Sequence, residues 1–298
     1  MKKKKLGKII VILGPTSSGK TDLSIKLAQK FNGEVVSADS RQVYKNMDIG
    51  TGKITKEEME GIPHHLLDIV SPKKRFSVAE YQRLAIEKIK KILKKKKIPF
   101  LVGGSPFYIY SVVEGWQFPK LKPDQKLREK LEKKSTGELF EILINIDKER
   151  AKNIDGSNKR RLIRSIEIAK KMGKVPLLKK NYLFDCLLLG IRKTKEELGL
   201  LIEKRILRRL EGGMLEEIKN LHQKEGVKWE RLDEFGLEYR WLSRYLQKKI
   251  TYPDMVKFLL SDTKKFSKRQ MTWFKKDKRI NWLKNEKEAR KLIVDFLD

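Results

Sequence analysis

Cysteine and histidine are the scarcest reactive residues in this sequence of 298 amino acids, which has one cysteine, Cys186, and three histidines. A lone thiol cannot form an intrachain disulfide, which excludes a fold held together by disulfides. So few thiols and imidazoles also leave little for a zinc site. The adjacent His64 and His65 would point in different directions in any regular element, so we assign them to packing or hydrogen bonding rather than to a metal.

Long apolar runs are missing as well. No segment approaches the ~18 consecutive apolar residues that a transmembrane helix needs. Lysines 2–5 precede an apolar run at residues 9–13, but that run is shorter than the ~7 to 15 apolar residues of a signal peptide. We therefore expect a soluble, cytoplasmic protein with no membrane partner.

Acidic residues are too few to balance the basic ones. The chain has 39 Asp and Glu against 70 Lys and Arg, a formal net charge of +31. Such a surplus indicates partners rich in phosphate, such as nucleic acid, although charge alone leaves a generally lysine-rich composition as an alternative. With 39% hydrophobic residues the chain can still bury a core, which excludes wholesale disorder.

One sequence motif indicates a specific site for phosphate. Residues 14–21 fit the phosphate-loop (P-loop) pattern G-x-x-x-x-G-K-[ST] between a predicted strand and a predicted helix. Glycines let the backbone wrap phosphate oxygens, amide groups and a helix N-terminus supply the anion site, and a lysine adds positive charge. The Thr21 hydroxyl suits Mg²⁺. The predicted phosphate-binding residues are Gly14, Pro15, Thr16, Ser17, Ser18, Gly19, Lys20 and Thr21.

The usual second acid of a nucleoside triphosphatase is missing. Such an enzyme places a Mg²⁺-holding carboxylate at the end of a nearby apolar strand, but the predicted strand at 99–102 runs into Gly103, Gly104 and Ser105. The acidic candidate is Asp39, just past the second predicted strand, where open parallel sheets bind ligands. A role for Asp39 as a turn or cap residue stays open. Hydrolysis of a triphosphate is therefore not the predicted purpose.

Short apolar runs alternate with helical patterns in the first third of the chain, which is typical of a parallel sheet with crossover helices. A helix is predicted around residues 81–93, and we interpret the lysines at 94–97 that follow it as a solvated helix end favoured by the dipole. The predicted strands lie at residues 9–13, 34–38, 99–102, 186–191 and 280–283.

These patterns divide the chain into three parts. Residues 1–120 are the first part of an α/β core, predicted as a P-loop NTPase-like parallel sheet with flanking helices. Residues 121–182 show helical patterns alone, with a capping box beginning at Ser135 and a cap at Asn158, and form a small all-helical insertion. Residues 183–298 continue the core and are mostly helical.

Seven segments, in order along nearly the whole chain, resemble the tRNA dimethylallyltransferase family, also called tRNA isopentenyltransferases or IPP transferases. They are residues 14–21, 37–44 (SADSRQVY), 47–53 (MDIGTGK), 63–68 (PHHLLD), 76–81 (FSVAEY), 102–105 (VGGS) and 268–274 (KRQMTWF). Two places depart from the family. Ser105-Pro106 replaces the usual Thr and bulky apolar residue, and residues 235–240 replace a frequent Gly-Tyr.

The resemblance implies transfer of a dimethylallyl group from dimethylallyl diphosphate to N6 of the adenine 3′ to the anticodon, with Mg²⁺ as cofactor. The P-loop would then bind the leaving diphosphate. Asp39 resembles the family's general base, and the Ser105 hydroxyl would contact the adenine or the donor. The family places a diphosphate arginine on the helix after the 186–191 strand, where Arg205 and Arg209 lie one turn apart; the choice between them stays open.

The resemblance also implies contacts with the anticodon stem-loop of tRNA, and a monomeric enzyme. The implied tRNA-binding residues are Asp39, Ser40, Arg41, Gln42, Ser105, Arg128, Arg160, Arg161, Leu162, Ile163, Arg164, Lys268, Arg269 and Gln270. Trp273 and Phe274 could stack on bases, but large aromatics at helical spacing favour a place in the core.

Three other functions are alternatives. An adenylate dimethylallyltransferase would modify a free nucleotide and would not need an arginine-bearing insertion or a basic late helix. A P-loop nucleotide kinase is disfavoured by the acid-free strand end at Gly103. A noncatalytic RNA-binding protein would leave Asp39 without a purpose.

Overall fold

The structure, a computed structural model, describes residues 5–298. The first four residues of the predicted core segment 1–120, and most of the lysine run at 2–5, lie outside the described residues. Two compact units are present: one combines the chain up to Gly115 with Tyr182–Asp298, and the other is Trp116–Asn181. Within the described part, no helix has the length and apolar character to cross a membrane.

Eight strands occur in the described chain. They are β1 (Lys8–Leu13), β2 (Gly33–Ser37), β3 (His64–His65), β4 (Ile98–Gly103), β5 (Trp116–Gln117), β6 (Lys179–Lys180), β7 (Asp185–Ile191) and β8 (Asn281–Leu283).

Six of these strands form one sheet in the order β3-β2-β4-β1-β7-β8, and every neighbouring pair is parallel. This confirms the predicted parallel sheet, and the ends of the predicted strands differ from the observed ends by at most one residue. The two-residue strand β3 was not predicted. Residues 9–13 of the central strand β1 are fully buried, because helices cover both faces of such a sheet; this is why the strand reads as a continuous apolar run.

Thirteen helices occur in the described chain. They are α1 (Lys20–Lys30), α2 (Val78–Lys94), α3 (Pro106–Val113), α4 (Gln125–Glu132), α5 (Thr136–Ile146), α6 (Lys148–Lys152), α7 (Lys159–Met172), α8 (Lys195–Glu211), α9 (Met214–Gln223), α10 (Trp229–Phe235), α11 (Leu237–Leu246), α12 (Tyr252–Phe274) and α13 (Glu286–Leu297).

The unit at Trp116–Asn181 contains α4 to α7 around its own apolar core, in which Leu139, Leu143 and Ile166 are fully buried. The predicted capping box at Ser135 is present, since its side chain accepts from the N–H of Glu138. The segment predicted as helical throughout also holds a strand, because β6 pairs antiparallel with β5. The chain therefore enters and leaves this unit through adjacent strands.

Glu34 of β2 is a buried acid with three cationic or imidazole partners. Its side chain is 1% exposed, and its carboxylate lies 2.7 Å from His65 Nε2, 3.1 Å from Lys97 Nζ and 3.3 Å from Lys95 Nζ. Burial alone would raise the pKa of Glu34, but the hydrogen bonds from His65, Lys97 and Lys95 outweigh it and lower the pKa to about 2. The lysine run after α2 is therefore partly an ion-pairing element rather than only a solvated helix end.

Replacing Glu34 by glutamine should make the stability of the protein less dependent on pH. The folded pKa lies below the ordinary value of 4.5, so the carboxylate stabilises the fold fully above about pH 4.5 and loses this contribution as the pH falls toward 2. We expect Glu34→Gln to cost about 3 kcal/mol at pH 7, and the difference from wild type to shrink between pH 4.5 and 3. Urea unfolding at several pH values measures it.

The matched control is Glu87→Gln, which removes an exposed carboxylate that pairs with Lys91 one turn away on α2. It should leave the free energy of unfolding almost unchanged at pH 7. A Glu34→Gln penalty that stays constant down to pH 3 would show that Glu34 acts through packing and not through its charge.

Candidate active site

The P-loop joins β1 to α1 at the carboxyl edge of the sheet. Its backbone takes left-handed φ values at Ser17 (62°) and Gly19 (87°), and α1 begins at Lys20. Successive amide groups and the helix N-terminus therefore face the same space, which is the geometry that binds phosphate. The predicted strand, loop and helix are all present.

Four polar atoms around one cavity are buried without a hydrogen-bond partner among the described residues: Ser17 Oγ, Ser18 Oγ, Arg205 Nε and His64 Nε2. The four residues line a cavity of about 180 Å³, together with Asp39 and the rest of the loop from Thr16 to Thr21. A buried donor without a partner costs free energy. Three hydroxyl or guanidinium donors around one cavity match a ligand with several anionic oxygens.

The two buried cations of the cavity, Lys20 and Arg205, are held close to each other. Burial, followed by the charge of Arg205, lowers the pKa of Lys20 to about 8, against the opposing effect of Asp39. Burial, followed by the charge of Arg209, lowers the pKa of Arg205 to about 10, against the opposing effects of Glu238 and Asp39. An anion placed between them would raise both pKa values, so the cavity favours an anionic ligand electrostatically.

Arg205 and Arg209 have separate surroundings although both lie on α8. Arg205 lines the cavity and donates from Nη2 to Thr16 Oγ1 of the P-loop. Arg209 instead donates to the carbonyl oxygen of Gly50 (3.3 Å) and lies 3.7 Å from the Glu238 carboxylate. The structure therefore brings Arg205 to the P-loop and uses Arg209 to support the loop at residues 48–52.

Asp39 follows the end of β2 and forms a turn while facing the cavity. Its Oδ1 accepts hydrogen bonds from the backbone N–H groups of Arg41 (2.8 Å) and Gln42 (3.4 Å). No described residue hydrogen-bonds its Oδ2. The turn role and a catalytic role are therefore compatible, because they use different oxygens of the same carboxylate.

The end of β4 supplies a hydroxyl next to Asp39 instead of an acid. Ser105 Oγ accepts from the Ser40 N–H (3.0 Å) and lies 3.3 Å from Ser40 Oγ. Only glycine fits at residue 103, since a Cβ there would lie 2.2 Å from the Ala38 carbonyl oxygen. Pro106 occupies the first position of α3, where its missing N–H has no intrahelical partner to lose, so this departure from the family leaves the turn regular.

Several residues predicted to contact tRNA are used inside the protein. Arg41 donates from Nε (3.0 Å) and Nη2 (2.6 Å) to the Phe235 carbonyl, and Gln42 Nε2 donates to the Gly52 carbonyl (3.0 Å). Gln270 is 4% exposed; its amide accepts from the Thr16 N–H (2.9 Å) and donates to the Gly104 carbonyl (2.7 Å). These contacts hold the P-loop, the Asp39 turn and the end of β4 together.

The insertion residues divide in the same way. Leu162 and Ile163 are buried in the core of the Trp116–Asn181 unit. Their side chains support the fold of α7, and the contact of this segment with tRNA stays a prediction. Arg128 binds the Glu167 carboxylate through two bonds of 2.7 Å, and Arg164 donates to the same carboxylate (3.2 Å). Exposed side chains remain at Arg160 and Arg161 of α7 and, in the other unit, at Lys268 and Arg269 of α12.

His64 and His65 both form hydrogen bonds to protein groups. His65 binds Glu34 as described, and His64 Nδ1 lies 2.8 Å from the Ile62 carbonyl oxygen, which matches the expected hydrogen-bonding role. Burial lowers the pKa of His64. The described residues contain no group of three or more His, Cys, Asp or Glu side chains that could hold a metal ion.

Sequence reasoning missed Glu217 of α9, which holds the 48–52 loop. Its carboxylate accepts from the backbone N–H groups of Asp48 (2.7 Å), Ile49 (2.5 Å) and Gly50 (3.1 Å) and from the Tyr239 hydroxyl (2.8 Å). These partners lie about 170 residues away or on another helix, so no local pattern marks Glu217. The Met-Asp-Ile-Gly-Thr-Gly-Lys motif marks only the loop side of the contact.

The sequence comparisons agree with one another. A model of the IPP transferase family matches residues 42–277. The chain is 38% identical to the tRNA dimethylallyltransferase of Halothermothrix orenii, over 97% of this chain and 93% of that protein. It is 40% identical to the tRNA dimethylallyltransferase of Finegoldia magna, over 95% of this chain and 92% of that protein.

Two solved structures have similar folds. The full-length tRNA isopentenylpyrophosphate transferase of Bacillus halodurans gives a TM-score of 0.72 at 34% identity, over 97% of this chain and 95% of that chain. A eukaryotic dimethylallyltransferase acting on tRNA gives a TM-score of 0.77 at 31% identity, over 91% of this chain and 70% of that chain.

Replacing Glu217 by alanine should loosen the 48–52 loop, because three backbone N–H groups and the Tyr239 hydroxyl lose their acceptor. We expect a loss of about 3 kcal/mol in the free energy of unfolding, and a smaller loss for Glu217→Gln, which keeps one acceptor oxygen. The control is Glu216→Ala on the exposed side of α9, which should change stability by less than about 0.5 kcal/mol. If the two alanine variants were equally stable in urea unfolding, the role of Glu217 in holding the 48–52 loop would be refuted.

Proposed function

This chain belongs to the IPP transferase family, and from that premise we propose that it transfers a dimethylallyl group from dimethylallyl diphosphate to N6 of the adenine 3′ to the anticodon of tRNA. Diphosphate is the leaving group. The observation that carries this proposal is the cavity in which Ser17, Ser18 and Arg205 present unpartnered donors beside Asp39, with no acid at the end of β4.

The P-loop and Arg205 are suited to a leaving diphosphate. As the bond between the prenyl carbon and the diphosphate oxygen breaks, negative charge grows on the diphosphate and must meet preorganised positive groups. Lys20, Arg205 and the loop amides supply them, and all lie in or beside one buried cavity. Arg205 is therefore assigned to the diphosphate, and Arg209 to the support of the 48–52 loop.

Asp39 is assigned as the general base. The adenine amino nitrogen is a weak nucleophile because its lone pair is delocalised into the ring, so a carboxylate that takes its proton helps the attack. As N6 bonds to the prenyl carbon, the proton passes to Oδ2 of Asp39, while Oδ1 stays bonded to the amides of Arg41 and Gln42. Ser105 and Ser40 stand beside this carboxylate and are assigned to the adenine.

A Mg²⁺ ion fits the cavity as an ion held mainly by the substrate. Thr21 offers one hydroxyl at the exposed mouth of the cavity, and the absence of a cluster of three ligands among the described residues argues against a tightly bound resident metal. Mg²⁺ commonly takes one or two protein oxygens and keeps waters and substrate phosphate oxygens. When bound, it would neutralise charge on the diphosphate.

For tRNA, we assign the exposed cations to the backbone of the anticodon stem-loop. These are Arg160, Arg161, Lys268 and Arg269, whose side chains face solvent and can neutralise phosphates without reading sequence. Arg128, Arg164 and Gln270 are assigned to positioning, because their polar atoms already bond protein groups. We assign the enzyme to the cytoplasm and expect it to act as a monomer.

The function is tested by incubating the protein and Mg²⁺ with labelled dimethylallyl diphosphate and an anticodon stem-loop whose 3′-flanking base is adenine. Label should appear on the RNA and not on AMP offered in its place. A third reaction with ATP and nucleoside monophosphates should show no phosphate transfer. Label on AMP alone would favour the adenylate dimethylallyltransferase, and phosphate transfer alone would favour the kinase.

Replacing Asp39 by alanine should slow prenyl transfer by about 10²- to 10⁴-fold, the usual contribution of a general base, with little change in RNA affinity. Asp39→Asn keeps an oxygen for the Arg41 and Gln42 amides and removes only the basicity, so it should be equally slow. Single-turnover rates and fluorescence anisotropy separate the two quantities. If Asp39→Asn were active, or if both variants lost RNA binding, Asp39 would be structural.

A further inference from the structure

Two large aromatic side chains lie exposed side by side where α3 meets α12. Phe107 is 38% exposed and Trp273 is 42% exposed, and their ring centroids are 5.1 Å apart. Tyr110 lies behind Trp273, with 6.4 Å between the ring centroids. Single exposed aromatics are ordinary, but an adjoining pair with a supported ring behind it is the kind of apolar surface that marks an interaction site. We call Phe107 and Trp273 the aromatic pair.

The aromatic pair is fixed to the adenine side of the site through both of its helices. Phe107 lies two residues after Ser105, whose hydroxyl bonds Ser40 next to Asp39. Trp273 lies one turn after Gln270 on α12, and Gln270 is bonded to Gly104 and to the P-loop. Each aromatic residue therefore stands within three residues of a group that lines the Asp39 cavity or bonds Ser40 beside it.

The charges around the aromatic pair identify the class of ligand. Arg269 lies one helical turn before Trp273, and Lys276 three residues after it, and both are exposed. Neither forms an ion pair with a described residue. Flat aromatic rings interleaved with cations are what proteins use for single-stranded nucleic acid, since every base has a stacking face and every nucleotide a phosphate.

We propose that the aromatic pair stacks on a base of the anticodon loop adjacent to the adenine that enters the site. This inference rests on the proposed function, because an enzyme that modifies a base in a folded RNA must take that adenine out of the base stack. Extruding a base costs free energy and leaves a neighbouring base without one stacking partner. The aromatic pair replaces that partner, and Arg269 and Lys276 hold the phosphates on either side.

The test is a thermodynamic cycle on RNA binding. We would measure the affinity of wild type and Trp273→Ala for a fluorescently labelled anticodon stem-loop, and for two versions with an abasic nucleotide on the 5′ or the 3′ side of the target adenine. Trp273→Ala should bind the intact loop about tenfold more weakly. For wild type, one of the two abasic loops should bind about tenfold more weakly than the intact loop. For Trp273→Ala, the same abasic loop should bind less than about twofold more weakly than the intact loop.

Three further variants separate stacking from other effects. Trp273→Phe keeps an aromatic ring and should retain most of the wild-type affinity for RNA. This variant still tests the role of the ring if Trp273→Ala folds poorly. Trp273→Ala should leave the salt dependence of binding unchanged, whereas Arg269→Ala should lower it by about one phosphate contact. The control is Phe258→Ala, which should bind RNA as wild type does. Phe258 is an exposed aromatic on another part of α12, where it packs on Trp241 of α11.

The outcomes are distinct. If wild type binds and prenylates the loop but the losses from Trp273→Ala and from each abasic nucleotide simply multiply, stacking by the aromatic pair is overturned and the proposed function stands. If Trp273→Ala binds the intact loop as wild type does, the inference is equally overturned. If wild type neither binds nor prenylates the stem-loop, the proposed function fails together with this inference.

Discussion

Buried positive charge is the condition on which the site depends. Lys20 and Arg205 are drawn into one cavity, where burial and the charge of a neighbouring arginine (Arg205 for Lys20, Arg209 for Arg205) lower the pKa of each. The fold tolerates this because it supplies compensation nearby: the Pro15 carbonyl accepts from Lys20 (2.6 Å), and Thr16 accepts from Arg205. Those contacts are weaker than a phosphate would provide, so the site is preorganised for an anion.

The surrounding structure keeps these charges in place through contacts between distant segments. Glu217 gathers the amides of the 48–52 loop, and Gln42 donates to the carbonyl of Gly52 in that loop. Gly52 itself must be glycine, since its φ is 58° and a Cβ there would overlap the Arg209 guanidinium. The loop therefore connects α8 and α9 to the turn that carries Asp39, and Asp39 is positioned by contacts that extend well beyond its own sequence motif.

Much of this could be read from the sequence because it is local. The strand at 9–13 followed by the P-loop and a helix is continuous in the chain, and the capping box at Ser135 is complete within four residues. What could not be read depends on contacts across the fold. Arg205 and Arg209 have the same local pattern, and only the packing of α8 separates them. Lys95 and Lys97 were predicted to lie at a solvated helix end, because their partner Glu34 is some 60 residues away in the chain and no local pattern indicates the ion pairs.

The two hydrogen bonds of Gln270 require a side chain that can both accept and donate. Its amide receives a hydrogen from the backbone of Thr16 and gives one to the backbone of Gly104. Glutamate would keep the acceptor but lose the donor, lysine would do the reverse, and asparagine is one methylene shorter. Among flexible side chains of this length only glutamine carries both a hydrogen-bond donor and an acceptor at its tip, so these other residues would each lose at least one of the two bonds that join the P-loop to the end of β4.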